Sequence, residues 1–145
     1  MPKKLFADFL QNPLAFVDGG EEYELMRVAL GLERGAKGLE EMRELANDIG
    51  LLREASQGRG NFGIGGATAM ESDRLGKIWV GDGYRIASDG TTLVSFDGTH
   101  VYRPPSPKPH SQYAPTGVQS SFELLEKQGE KMVKLGNAHL DIISL

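Results

Sequence analysis

The chain has no cysteine among its 145 residues, which excludes disulfides, thiol nucleophiles and Cys-ligated zinc or iron–sulfur centres. A cysteine-free domain keeps its covalent structure in oxidising and reducing compartments alike. No run approaches the roughly 20 consecutive apolar residues of a membrane-spanning helix. The apolar stretch Leu5-Phe6-Ala7-Asp8-Phe9-Leu10 is too short for the core of an export signal and is interrupted by an aspartate. A large charge of one sign is also missing. The net charge of −4 argues against a protein that coats nucleic acid generally, which would be strongly basic. There is no G-x-S-x-G nucleophile elbow and no H-E-x-x-H zinc signature.

What is present is unevenly placed. Residues 1–56 hold 11 acidic and 7 basic side chains, while residues 57–145 hold 9 of each. The first segment reads as helical. Over residues 21–53 the apolar positions Leu25, Met26, Ala29 and Leu32, then Leu39, Met42, Leu45, Ala46, Ile49 and Leu52, recur at spacings of 3 and 4 and form a stripe. Gly35 and Gly38 are expected to break it into a helical hairpin. Composition then changes, with Gly58, Gly60, Gly63, Gly65 and Gly66 in nine residues. A boundary is expected near Ser56-Gln57, giving a helical segment 1–56 and a second domain 57–145.

In the second domain, Thr68-Ala69-Met70-Glu71 has the form of a capping box, predicting a short helix that ends at Gly76. From Lys77 the text is strand-like. Ile78-Trp79-Val80, Tyr84–Ala87, Thr92–Phe96 and Thr99–Arg103 are short β-branched and aromatic runs, and Asp89-Gly90 and Asp97-Gly98 punctuate them as turns. This predicts an antiparallel meander. Residues 121–127 fit either a strand or a short amphipathic helix. Ala138–Ile143 alternates and reads as a final strand, with His139 and Asp141 on one face and Leu140 and Ile142 on the other. The fold class is therefore α+β, with N-terminal helices and a twisted antiparallel sheet.

All three histidines, His100, His110 and His139, lie in the last third of the chain around the segment Tyr102-Arg103-Pro104-Pro105-Ser106-Pro107-Lys108-Pro109. Imidazole exchanges protons near neutral pH, and Arg and Lys are the counter-charges a phosphate needs. Arg103 gains direction from Pro104-Pro105, which fix the chain extended beyond it. Three histidines with Asp141 and Glu123 also suggest a metal site, but their spacing matches no zinc signature. Neither metal nor cofactor is therefore predicted. Gly58-Arg59-Gly60-Asn61-Phe62-Gly63 spells a dinucleotide fingerprint, yet a helix rather than a strand precedes it, so close-packed turns are the better reading. A cationic, imidazole-bearing site without thiol or metal suits cleavage of RNA, where the 2′-hydroxyl is the nucleophile and the protein supplies a base, an acid and cations. A structural role for His139 and a solvated role for Arg103 stay open.

The ordered series G-R-G-N-F-G-I-G from Gly58, W-V-G-D-G-Y-R-I-A-S-D-G-T-T-L-V-S from Trp79, Y-R-P-P-S-P-K-P from Tyr102, Q-S-S-F-E from Gln119 and G-N-A-H-L-D-I from Gly136 resembles the polymorphic toxin type 17 family. These are C-terminal toxin domains of contact-dependent inhibition, Rhs and LXG effectors. The resemblance implies an antibacterial endoribonuclease, delivered to act in the cytoplasm of a target cell and neutralised by a cognate immunity protein. It implies RNA as substrate, with transfer RNA one candidate and a target-cell accessory protein one candidate partner. It also implies a fold similar to the barnase, colicin and RelE group. His139, Arg103, Lys108, Glu123 and Asp141 carry over as catalytic residues, and Arg59, His110 and Tyr102 as substrate contacts. In this scheme His139 is the acid or base, and Glu123 or Asp141 orients it or carries the second proton. Residues 1–56 lie outside the resemblance and would be an import or pretoxin segment. The loop between the Arg-Pro-Pro motif and Gln119 is longer than in LXG relatives. The alternatives are a metal-dependent DNase toxin and a non-enzymatic protein-binding toxin module.

Overall fold

The computed structural model describes residues 43–144, and the chain divides into two compact units, Met1–Arg53 and Glu54–Leu145. Of the helical hairpin expected over residues 21–53, residues 21–42, with the break at Gly35 and Gly38, lie outside the described residues. Residues 43–57 are helical (α1). No helix among the described residues is long and apolar enough to cross a membrane.

The second unit is α+β. Its elements run β1 (Gly60–Ala67), α2 (Ala69–Val80), β2 (Arg85–Ile86), β3 (Leu93–Val94), β4 (His100–Pro107), β5 (Val118–Gln128) and β6 (Lys131–Ile142). They build one six-stranded sheet in the order β1-β6-β5-β4-β3-β2. Strands β2 to β6 form the expected antiparallel meander. The departure is β1, which joins the far edge parallel to β6, so the sheet is mixed.

Strand β1 occupies the glycine-rich run that reads as turns. Small residues let it lie against β6, and its pairing slips between Gly63 and Gly66. Gly65 sits in that slip at φ +109°, a backbone that a side chain would strain.

The capping box at the start of α2 is present: Thr68 Oγ1 accepts from Glu71 N at 3.2 Å, and Thr68 N donates to Glu71 Oε1 at 3.1 Å. The helix does not stop at Gly76, however, and absorbs Ile78-Trp79-Val80, which reads as a strand. The reason is tertiary. Leu75 and Trp79, one turn apart, are each 1% exposed, and a glycine between them is required because a Cβ at Gly76 would lie 2.3 Å from the Tyr102 ring. Packing thus overrides local propensity, and the helix ends at Gly81, whose N–H donates to Lys77 O.

Residues 121–127 resolve as part of strand β5. Both Asp-Gly pairs end four-residue turns, closed by Gly90 N to Ala87 O and Gly98 N to Ser95 O, each at 3.0 Å. Asp89 accepts from the Thr92 hydroxyl and from the Thr92 and Thr91 N–H groups, and Asp97 accepts from Thr99 N. The Thr92 hydroxyl first for Asp89, and the Thr99 N–H first for Asp97, hold the carboxyls down at about 2. Pro104 and Pro105 lie in β4 where its register with β5 slips between Arg103 and Ser106, a break in the ladder that tolerates the missing N–H.

The sheet has two unlike faces. Tyr102, Phe122, Leu140 and Ala138, none more than 1% exposed, form the core with Leu75 and Trp79 of α2. Trp79 meets Phe122 edge-on at 6.0 Å, and Phe122 packs on Tyr102 at 5.1 Å. Each such side chain contributes about 1.5–3 kcal/mol by burial. Alternation then sends Arg103, Gln119, Ser121, Glu123, Asn137, His139 and Asp141 to the opposite face.

Candidate active site

One row crosses this second face. Arg103 of β4 pairs with Ser121 of β5, Ser121 pairs with His139 of β6, and His139 pairs with Gly63 of β1. With neighbouring strands about 5 Å apart, the Arg103 and His139 backbones are about 10 Å apart, and a phosphate fits between side chains rooted at that separation.

His139 is 8% exposed and held on both ring nitrogens. Ser121 Oγ lies 3.2 Å from Nδ1, and Asn61 Oδ1 of β1 lies 3.1 Å from Nε2. Oδ1 can only accept, so Nε2 carries the proton and Nδ1 accepts from the serine hydroxyl. Tyr113 lies flat over the imidazole at 4.9 Å, with the two planes 6° apart. Burial is the main reason the His139 pKa lies below the usual imidazole range. Glu123 pulls it up, and Lys134 and Lys108 push it down. Near neutral pH the ring is uncharged, with one proton to give and one lone pair to fill.

Glu123, 3% exposed, does not orient the histidine. Its carboxylate takes Arg103 Nε on one oxygen at 2.5 Å and Lys134 Nζ on the other at 3.3 Å. Arg103 is thereby fixed through Nε, with Nη1 3.4 Å from Thr92 Oγ1. Its side chain remains 53% exposed, so the rest of the guanidinium fork faces outward.

Asp141 does not reach His139 either. Its Oδ1 accepts from Thr116 Oγ1 at 2.7 Å and Thr116 N at 3.2 Å, tying the 108–117 loop to the sheet. The same loop is closed by Lys108 N to Gly117 O at 2.8 Å and pinned by Ser111 Oγ to Gln119 Oε1 at 2.5 Å. It carries Tyr113, whose hydroxyl donates to Asn61 O at 3.2 Å. Lys108, at the base of the loop, is exposed, and its charge acts on His139.

Two expected substrate contacts, Tyr102 and Arg59, stand elsewhere. Tyr102 is a correction: 1% exposed, it faces α2, where its hydroxyl donates to Asp73 Oδ1 at 2.8 Å and sits 2.8 Å from Ser72 Oγ. Arg59 caps the end of α1, with Nη1 donating to the carbonyls of Ser56, Gln57 and Gly58 at 3.2, 3.2 and 2.9 Å, a helix-terminus role. His110 is exposed on the loop. Nor do the histidines cluster, because His100 lies on the core side, edge-on to Trp79 at 4.6 Å.

Asn61, Ser121 and Tyr113 are the residues that sequence reasoning did not nominate. Ser121 was discoverable, since reading 119–123 as a strand puts Gln119, Ser121 and Glu123 on one face. Asn61 and Tyr113 carry no such signal, because strand pairing and loop closure bring them to His139 from 78 and 26 positions away. Among the described residues, no three His, Asp or Glu side chains converge as metal ligands. The chain matches no protein-family model, no curated protein and no solved structure.

Proposed function

We propose that residues 57–145 are an antibacterial toxin domain that cleaves RNA without a metal, by attack of a 2′-hydroxyl on the adjacent phosphorus. The observation that carries this reading is the cross-sheet row: a neutral, doubly held imidazole at His139 and a fixed, outward-facing guanidinium at Arg103, with Ser121 between them. The resemblance of residues 58–142 to polymorphic toxins supplies the biological setting.

The Nε2 edge of His139 opens through Asn61, an exposed residue, so substrate reaches the ring there. With Asn61 displaced and Nδ1–H turned to Ser121 Oγ, Nε2 takes the 2′-hydroxyl proton. The 2′-oxygen bonds to phosphorus, the bond to the 5′-oxygen breaks, and the departing oxygen takes a proton from water, while His139 later returns its proton to water. Products are a 2′,3′-cyclic phosphate and a 5′-hydroxyl. Arg103 neutralises charge on the phosphorane, assisted by Lys108 from the loop. Glu123 positions Arg103, while Asp141 positions the loop. A cognate immunity protein that plugs this site would present acidic side chains to Arg103 and Lys108.

The test is controlled expression in bacteria. Wild-type protein is expected to arrest growth with loss of intact RNA before any loss of DNA, and His139→Ala to be harmless at equal abundance. DNA loss first would favour a DNase, and toxicity retained by His139→Ala and Arg103→Ala would favour a protein-binding module.

A further inference from the structure

The β5–β6 hairpin outruns its neighbours. Its ladder with β4 ends at His100–Leu124, with one further bond from Leu125 N to Thr99 O at 2.7 Å, and its ladder with β1 ends at Gly60–Gly136, yet β5 and β6 stay paired out to Gln128–Lys131. The remainder is a two-stranded arm. Pairings Leu125–Lys134 and Lys127–Met132 put those four side chains on one face, and Glu126–Val133 and Gln128–Lys131 put the others on the reverse.

The first of these is the His139 face. The register slips between Leu124 and Leu125, but the extra residue, Leu135, lies on β6, so alternation along β5 still takes Ser121 and Glu123 to Leu125 and Lys127, and the 3.3 Å contact of Lys134 Nζ with Glu123 agrees with that side. The site-facing side of the arm carries cations alone, whereas the reverse carries both signs, Lys131 and Glu126. Lys127 and Lys134 look the way of the site, while Glu126 lies behind, accepting from Gln128 Nε2 at 3.2 Å. Lys127 is exposed and has no ion-pair partner among the described residues. Arg103, Lys134 and Lys127 thus form a line of cations from the catalytic row outward. Lys127 is six positions beyond Ser121, about 20 Å along the strand.

From this arrangement we infer that the arm is a second binding site, which holds the phosphates of an RNA strand several nucleotides from the scissile bond, with Lys127 as its outer contact. The inference rests on the nuclease reading and adds where the substrate runs. Contacts of this kind position the strand and are read as salt dependence.

The opposite faces of the arm supply the test. Full-length His139→Ala protein, which leaves RNA uncut, is titrated with a single-stranded oligoribonucleotide long enough to span the arm, and with a dinucleotide. Adding Lys127→Ala is expected to weaken oligonucleotide binding severalfold and lower the salt slope by about 0.7, the value for one phosphate on a single strand. Dinucleotide binding should not change. Lys131→Ala, equally exposed but on the reverse face, should leave both unchanged. Equal losses from the two lysines, or none from Lys127→Ala, would overturn the arm as a site while leaving the nuclease reading intact. Failure of His139→Ala protein to bind RNA even at low salt would overturn both.

Discussion

Tyr113 lies flat on His139, ring centroids 4.9 Å apart, and so the residue best placed for proton transfer is covered by a side chain from a loop. Desolvation is the largest influence lowering the His139 pKa, and Tyr113 supplies part of it. Tyr113→Ala is expected to raise the pKa toward the unperturbed value of about 6.5, read by NMR titration of the ring. Tyr113→Phe keeps the stacked ring and should shift it little. An unmoved pKa in Tyr113→Ala would show that other groups bury the imidazole.

Stability should fall with acid from near pH 6.5 downward. His100 and His139 both have folded pKa values below the unfolded one, chiefly through burial. The unfolded chain therefore binds more protons between the folded values and about 6.5, and stability rises with pH across that window. It is fully present above it. A lower stability at pH 5.5 than at pH 7.5 in urea unfolding is the expected result. The carboxyls of Asp89 and Asp97, held at about 2, act in the same direction, with their share lost only as pH falls from about 4 through about 2.

Gly76→Ala sets two effects against each other. Alanine gains about 1 kcal/mol over glycine inside a helix, but its Cβ would fall 2.3 Å from the Tyr102 ring. That ring is 1% exposed and tied by its hydroxyl to Asp73, so it has little room to retreat. Overpacking costs about 1–3 kcal/mol and occasionally more. A clear drop in Tm is expected, where propensity alone predicts a rise.

Asp141→Ala removes the acceptor for Thr116. If Asp141 acts through the loop, backbone amides of 112–117 should exchange faster in the variant and activity should fall less than in His139→Ala. A loss as large as that of His139→Ala, with loop protection unchanged, would instead mark Asp141 as a proton carrier.

The meander and the polar face of β6 were legible because alternation and Asp-Gly turns are local signals. Residues 77–80 were misread for a different reason. Their β-branched and aromatic composition is that of a strand, and only the fit of Gly76 to Tyr102 and the burial of Trp79 against Phe122 make them helical. Strand β1 was hidden by its glycines, since a parallel partner 76 positions away leaves no local trace. The same limit applied to the site. His139 and Arg103 stood out by chemistry, but the groups that hold the imidazole are contributed by β1, β5 and a loop. Glu123 was nominated for one partner and serves another, because register sets it beside Arg103 and Lys134.

The most direct measurement is of product ends. Purified wild-type and His139→Ala proteins are incubated with total bacterial RNA in EDTA, and the fragments are examined at both termini. A 2′-hydroxyl nucleophile with His139 as proton carrier predicts 2′,3′-cyclic phosphate and 5′-hydroxyl ends from the wild type, and a rate at least about 100-fold lower from the variant. Fragments bearing 3′-hydroxyl and 5′-phosphate ends, or equal cleavage by the two proteins, would contradict it.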